Sequence, residues 1–220
     1  MGDVISLSDR RRAQASGPPY RPQSRAARAT FYFDLSLPGT YFAAERVDRY
    51  LSGVRWQPAF ADTLWGGPLL RDPAARDQLV AAAGERAAAL RMPLIWPEPY
   101  PPNARPIMRA AALACERGRG AEFVLSAGRL AFCGGFDLGT PEVLIEAAAA
   151  AALPLDDVLE AAGQSDRDAE MEEHAEKLRG AGVTALPAVR VGRLLFGGEE
   201  RLAEALTVAE SADGPRFRRA

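Results

Sequence analysis

Residues 30–47 read TFYFDLSLPGTYFAAERV, and the order of residue types in this stretch decides the fold. Phe31-Tyr32-Phe33 is an apolar run of good strand formers. The chain then passes through Asp34-Leu35-Ser36-Leu37 to Pro38, which suits a first helical position because its φ is near helical and its missing N–H would be unpaired there anyway. Tyr41, Ala44, Val47 and Leu51 recur at three- and four-residue spacing and predict a helix from about Pro38 to Leu51. The result is a strand, a tight turn and a helix N-terminus. Backbone N–H groups and the helix dipole favour an anionic atom at such a place. Gly53 ends the helix, and Val54 to Pro58 reads as a second strand. A β-α-β unit at this spacing implies a parallel pair with a right-handed crossover.

Working outward, residues 60–73 hold Gly66-Gly67-Pro68 and Asp72-Pro73, a loop by composition. An alanine-rich helix follows from about Pro73 to Leu90, and the proline-studded stretch from Pro93 to Pro106 is irregular. From Pro106 to Gly180 the pattern is helical, in four or five segments, with Thr140-Pro141 and Leu153-Pro154 as helix starts. After Gly182, Ala188–Val191 and Arg193–Phe196 flank Gly192 as a hairpin. Gly197 to Leu202 then leads into a last helix to about Ala209. The order is a split β-α-β plus β-β-α with an all-helical insert.

Apolar residues make up 48% of the 220 and charged residues 25%, as in an ordinary globular protein. The formal charge of −2 is uneven. Residues 1–29 carry six Arg against Asp3 and Asp9, a net of +4, and residues 211–220 carry +2, so the remainder holds −8. An acidic body argues against nucleic acid as a partner. No apolar run is long enough to span a membrane, and no apolar h-region follows the N-terminal charges, so a cytoplasmic protein is expected. Cys115 and Cys133 lie on apolar segments and read as buried, reduced thiols. His174, the only histidine, sits among Glu172, Glu173 and Glu176 and reads as solvated. With no second His and no paired Cys, no metal site is expected. Residues 1–29 are too poor in apolar groups to form a packed unit. The expected organisation is thus a disordered basic tail over 1–29, one domain over 30–208 with its helical insertion at about 74–182, and a C-terminal tail over 209–220.

Five pieces in order, FYFDLSLPGTYFAAERV, MPLIWP, TPEVL, GVTALPAV and LFGGEERL, resemble the 2-hydroxychromene-2-carboxylate isomerase and kappa-class glutathione transferase branch of the DsbA-like proteins, over about residues 30–208. That resemblance implies an α/β thioredoxin fold: a mixed four-stranded sheet, a cis-proline and a large all-helical insertion. It implies that Pro187 is the cis-proline, with the Leu186 backbone pairing with a thiol ligand as an added strand would. It also implies that Glu200, with Glu199 beside it, receives the γ-glutamyl end of glutathione or another low-molecular-weight thiol. The co-substrate implied is a small aromatic or chromene-type organic acid, with Trp96 and Phe132 as pocket walls, and a homodimer is the implied assembly.

The sequence departs from the branch at one position. The family's catalytic serine directly precedes the helix-opening proline, and here that residue is Leu37. The second position of the related C-x-x-C is Thr40, so a dithiol–disulfide oxidoreductase is excluded. Ser36 and Thr40 are the hydroxyls left as catalytic candidates: Ser36 if the turn begins before it, Thr40 if it faces the site rather than capping the helix. Gly39 replaces an aromatic common in the family, which predicts a wider mouth. Two readings stand: a glutathione-dependent isomerase or transferase with a weakened site, or a catalytically degenerate module that binds a ligand or protein beside Pro187.

Overall fold

Five residues, Ala29–Phe33, form strand β1, and all five are buried. A strand covered on both faces needs no alternation of polar and apolar residues, which is why this run is continuously apolar around Tyr32. The computed structural model describes residues 29–212; the expectations for the two tails fall largely outside them. Helix α1 (Pro38–Tyr50) opens on Pro38, and β2 (Arg55–Pro58) returns parallel to β1, pairing Phe31 with Trp56 and Phe33 with Pro58. A short α2 (Ala61–Trp65) ends on Gly66, and α3 (Pro73–Leu90) is capped by Asp72, whose carboxylate accepts from the Ala74 and Ala75 N–H groups. Five further helices make up the rest of the insert: α4 (Arg105–Glu116), α5 (Gly120–Phe132), α6 (Pro141–Ala150), α7 (Leu155–Gly163) and α8 (Asp168–Gly180). The chain then forms the hairpin β3 (Ala188–Val191) and β4 (Leu194–Gly197), and ends in α9 (Leu202–Ala212). This last helix runs beyond Ala209, where the sequence pattern faded.

The sheet order is β2-β1-β3-β4. β1 and β2 are parallel, while β3 is antiparallel to both β1 and β4. The Leu186–Pro187 peptide is cis. This is the thioredoxin arrangement, interrupted between β2 and β3 by helices.

Two apolar clusters hold it together. The larger joins Phe31 and Phe33 of β1 and Val47 of α1 to Ile107 and Met108 of α4, and to Phe123 and Phe132 of α5. Each fully buried side chain of this size contributes roughly 1.5–3 kcal/mol by leaving water. The smaller cluster gathers Tyr32, Leu37, Leu64, Leu178, Leu186 and Ala188. It lies where the insert's last helix, α8, meets the start of α1 and the cis-proline loop.

Candidate functional site

The turn from β1 into α1 is built around Asp34. Its Oδ1 accepts hydrogen bonds from the Ser36 N–H (2.9 Å) and the Ser36 hydroxyl (2.7 Å), and its Oδ2 accepts from the Ala61 N–H (2.8 Å). One carboxyl therefore ties the turn to the start of α2. Burial pushes the Asp34 carboxyl above its ordinary range, against the opposing pull of those donors. Sequence reasoning passed over Asp34; its signal was an acidic residue directly after an apolar strand, where a buried carboxylate needs several donors.

Ser36 opens onto a cavity of about 420 Å³. Phe60, Trp65, Leu70, Pro101 and Pro102 give it apolar walls, while Asp62, Arg71 and Arg105 supply charge. The Arg105 guanidinium lies 4.5 Å from the Phe60 ring centre and also pairs with Asp168 at 2.7 Å. Burial raises the Asp62 carboxyl, opposed by Arg105 and Arg71. Near this cavity the Tyr100 hydroxyl is buried and has no hydrogen-bond partner among the described residues. Burial and then the Asp34 charge push it up. Trp96 stacks edge-on against Tyr100 at 4.6 Å and against Phe132 at 6.1 Å, so it props the aromatic loop and is absent from this lining.

Leu37 takes the opposite direction. It is 3% exposed and lies in the cluster with Leu186 and Leu178. The place where the family resemblance implies a serine is thus a buried apolar contact. Thr40 is 1% exposed; its hydroxyl donates to the Asp34 carbonyl at 2.6 Å and accepts from the Asp34 N–H at 3.3 Å. That hydroxyl locks strand to helix from within. Gly39 does not widen the mouth. A Cβ there would lie 3.0 Å from Pro187 Cδ and 3.6 Å from the Leu186 carbonyl oxygen, so the proline ring occupies the space a side chain would need.

Beside Pro187, no hydrogen bond within the described residues uses the N–H or C=O of Leu186. The Pro187 carbonyl accepts from the Gly198 N–H at 2.9 Å, which anchors the turn leading into α9. Gly198 has φ +90°, a conformation open to glycine, and a Cβ there would collide with the Glu200 carboxylate. Glu200 is exposed beside it. Glu199, in contrast, is buried and ion-paired to Arg46 and Arg86.

Three residues outside the site differ from expectation. His174 is half-buried rather than solvated: its Nδ1 lies 2.9 Å from the Pro58 carbonyl and its ring meets Tyr32 edge-on at 6.0 Å between centres. α8 packs against the edge strand β2 and carries His174 inward, which its charged sequence neighbours concealed. Cys133 is exposed at the end of α5, whereas Cys115 is half-buried and burial pushes its thiol up. No group of acidic, His and Cys side chains among the described residues could hold a metal ion, and no helix there is long and apolar enough to cross a membrane.

No known protein family matches the chain by its sequence, and no curated protein does so either. Solved structures do match. A 2-hydroxychromene-2-carboxylate isomerase superimposes with a TM-score of 0.67 at 18% identity, over 84% of this chain and 98% of that one. A probable DsbA oxidoreductase from Streptomyces coelicolor gives 0.62 at 20% identity, over 86% of this chain and 92% of that one. A candidate protein disulfide isomerase from Nitrosomonas europaea gives 0.63 at 17%, over 84% and 98%. The fold is therefore the DsbA-like thioredoxin fold with its helical insertion.

Proposed function

We propose that this protein is a thioredoxin-fold binding module whose groove beside cis-Pro187 holds a ligand without thiol–disulfide chemistry. One observation carries the reading: Leu37, at the place of the family's catalytic serine, is buried in one apolar cluster with Leu186. A Leu side chain can neither exchange a disulfide nor hydrogen-bond a thiolate. The unpaired backbone of Leu186 supports the binding half of the proposal, since an extended segment can add there as an extra strand. Leu186, Pro187 and Glu200 are the contacts proposed. The ligand class is a low-molecular-weight thiol such as glutathione, or a peptide segment. A cytoplasmic setting and a homodimer belong to the same proposal.

A second reading is favoured by the Ser36 hydroxyl, which lines the cavity with Asp34. In it the protein is a glutathione-dependent isomerase or transferase for a small aromatic or chromene-type acid. The thiolate would form a C–S bond to an electrophilic carbon, with the displaced electron pair moving onto the conjugated carbonyl. Rotation about the new single bond and cleavage of the C–S bond would then return the thiol.

Calorimetric titration with reduced glutathione, followed by assay with 2-hydroxychromene-2-carboxylate, separates the two. The binding module is expected to bind the thiol saturably, to lose that binding in Glu200→Ala, and to show no turnover. Turnover abolished by Ser36→Ala would replace the first reading with the second. No heat with glutathione up to about 10 mM, far above a micromolar site, would leave a peptide segment as the ligand to test.

A further inference from the structure

Glu199 was expected to face the ligand, yet both of its carboxylate oxygens are taken. Arg86 of α3 grips it through Nε and, at 3.0 Å, through a terminal nitrogen, and Arg46 of α1 holds Oε1 as well. The Glu199 side chain is 7% exposed, while Arg46 and Arg86 remain 28% and 37% exposed. Two guanidiniums on one carboxylate leave one positive charge in excess, and neither arginine has another ion pair among the described residues. The arginines also press on each other. Burial first, and then the Arg86 charge, lowers the proton affinity of Arg46. An additional anion would relieve that repulsion.

The position of the cluster matters as much as its charge. A Cβ on Gly39 would lie 3.7 Å from Glu199 Cβ and 3.0 Å from Pro187 Cδ, so Glu199 roots beside the groove. Arg46 lies two turns farther along α1, about 10 Å from Gly39 at the helical rise per residue. Glu199 thus connects the cis-proline groove to a pair of half-exposed arginine forks.

We infer that Arg46 and Arg86 form an anion-binding subsite, at about 10 Å along α1 from the groove, for a carboxylate or phosphate group. Arginine is suited to this, since its fork can meet either oxyanion with two parallel hydrogen bonds. As a statement about the groove's own ligand, this rests on the binding reading above: the ligand would carry an anion at its far end. As a site, it does not depend on that reading. A cluster that only ties α3 to α1 would hold the same three residues but would not distinguish one anion from another.

The test uses the full chain with inorganic phosphate or glutarate as probes, against chloride at matched ionic strength, read by calorimetry. Saturable binding of either probe is expected, weakened by about tenfold or more in Arg46→Gln, the effect of losing a charged hydrogen bond. Arg46→Lys should recover part of it. Tighter phosphate binding would assign a phosphate end to the ligand, and tighter glutarate binding a carboxylate end. Nitrogen-15 shifts of the arginine Nε resonances on adding the probe give a second readout in the unmutated protein. No binding beyond chloride, or equal affinity in wild type and a folded Arg46→Gln, would overturn the subsite. Neither probe is a thiol, so this result and the glutathione titration can fail independently.

Discussion

Ser36 and Leu37 are neighbours in the chain, and the regions they enter have opposite chemistry. On the Ser36 side lies an open cavity with a buried carboxyl, a hydroxyl and several charges. On the Leu37 side, a leucine, a cis-proline and a buried threonine fill the space around the helix start. The polar groups there are spent on each other: Thr40 on the Asp34 backbone, and Glu199 on two arginines. Both residues lie in the turn that the Leu37 N–H closes on the Asp34 carbonyl at 3.2 Å, and that turn sends the Ser36 side chain to the cavity and the Leu37 side chain into the apolar cluster. A serine displaced by one residue therefore does not move slightly within one site. It changes sites.

Substitutions at four positions test how separate these two sides are. Asp34→Ala should have the largest effect, about 3 kcal/mol or more of lost stability in urea unfolding. It leaves the buried N–H of Ala61 and the half-buried N–H of Ser36 without their acceptor. The pH profile sharpens the same point. The Asp34 carboxyl is raised in the folded state from its reference of 3.8, so its contribution to stability is complete below that value and is lost as pH rises through the folded pKa. Wild-type stability relative to Asp34→Asn should accordingly decline over that interval, and a difference that grows with pH would show the carboxyl to be ionised more readily in the fold.

Leu37→Ser should cost about 3 kcal/mol, from a cavity plus a buried hydroxyl. It should leave the Ser36 cavity's ligand affinity within about twofold, because the Leu37 side chain is buried in the apolar cluster and does not line that cavity. A large affinity change would break the comparison. Gly39→Phe should cost about 2 kcal/mol through overpacking against Pro187, and a neutral outcome would mean that the proline ring yields. Ser36→Ala should cost no more than about 1 kcal/mol, the net worth of one hydrogen bond. Its effect should be confined to ligands of the cavity, with thiol binding beside Pro187 unchanged in calorimetry.

The element order was legible because it is written in local chemistry. Pro38, Pro73 and Pro141 open helices as their fixed φ requires, and Gly192 turns the hairpin at φ +60°. The resemblance implied that Pro187 is cis, and it is. The site was less legible because its polar partners are distant in sequence. Arg46 and Arg86 reach Glu199 across 153 and 113 positions, so no periodicity signals that this carboxylate is spoken for. His174 misled for a related reason: Glu173 and Glu176 beside it face water while it faces Pro58. Local patterns report which face of an element is apolar, and they say little about which charge meets which.

The sheet order carries a consequence for how this chain reaches its native state. β1 must pair with β3, and Arg190 meets Thr30 across 160 positions. The six helices from α3 to α8 are threaded between those partners. The entropy of closing a loop rises with its length, and non-local pairings slow folding. Helices α4 to α7 can meanwhile assemble from near neighbours in sequence, which shortens the effective distance. The insert then acts as an internal scaffold that brings the two ends of the domain together. The β1–β3 pairing, which spans the whole insert, is therefore expected to form after the insert's helices, an order that pulse-labelled hydrogen exchange during refolding would check.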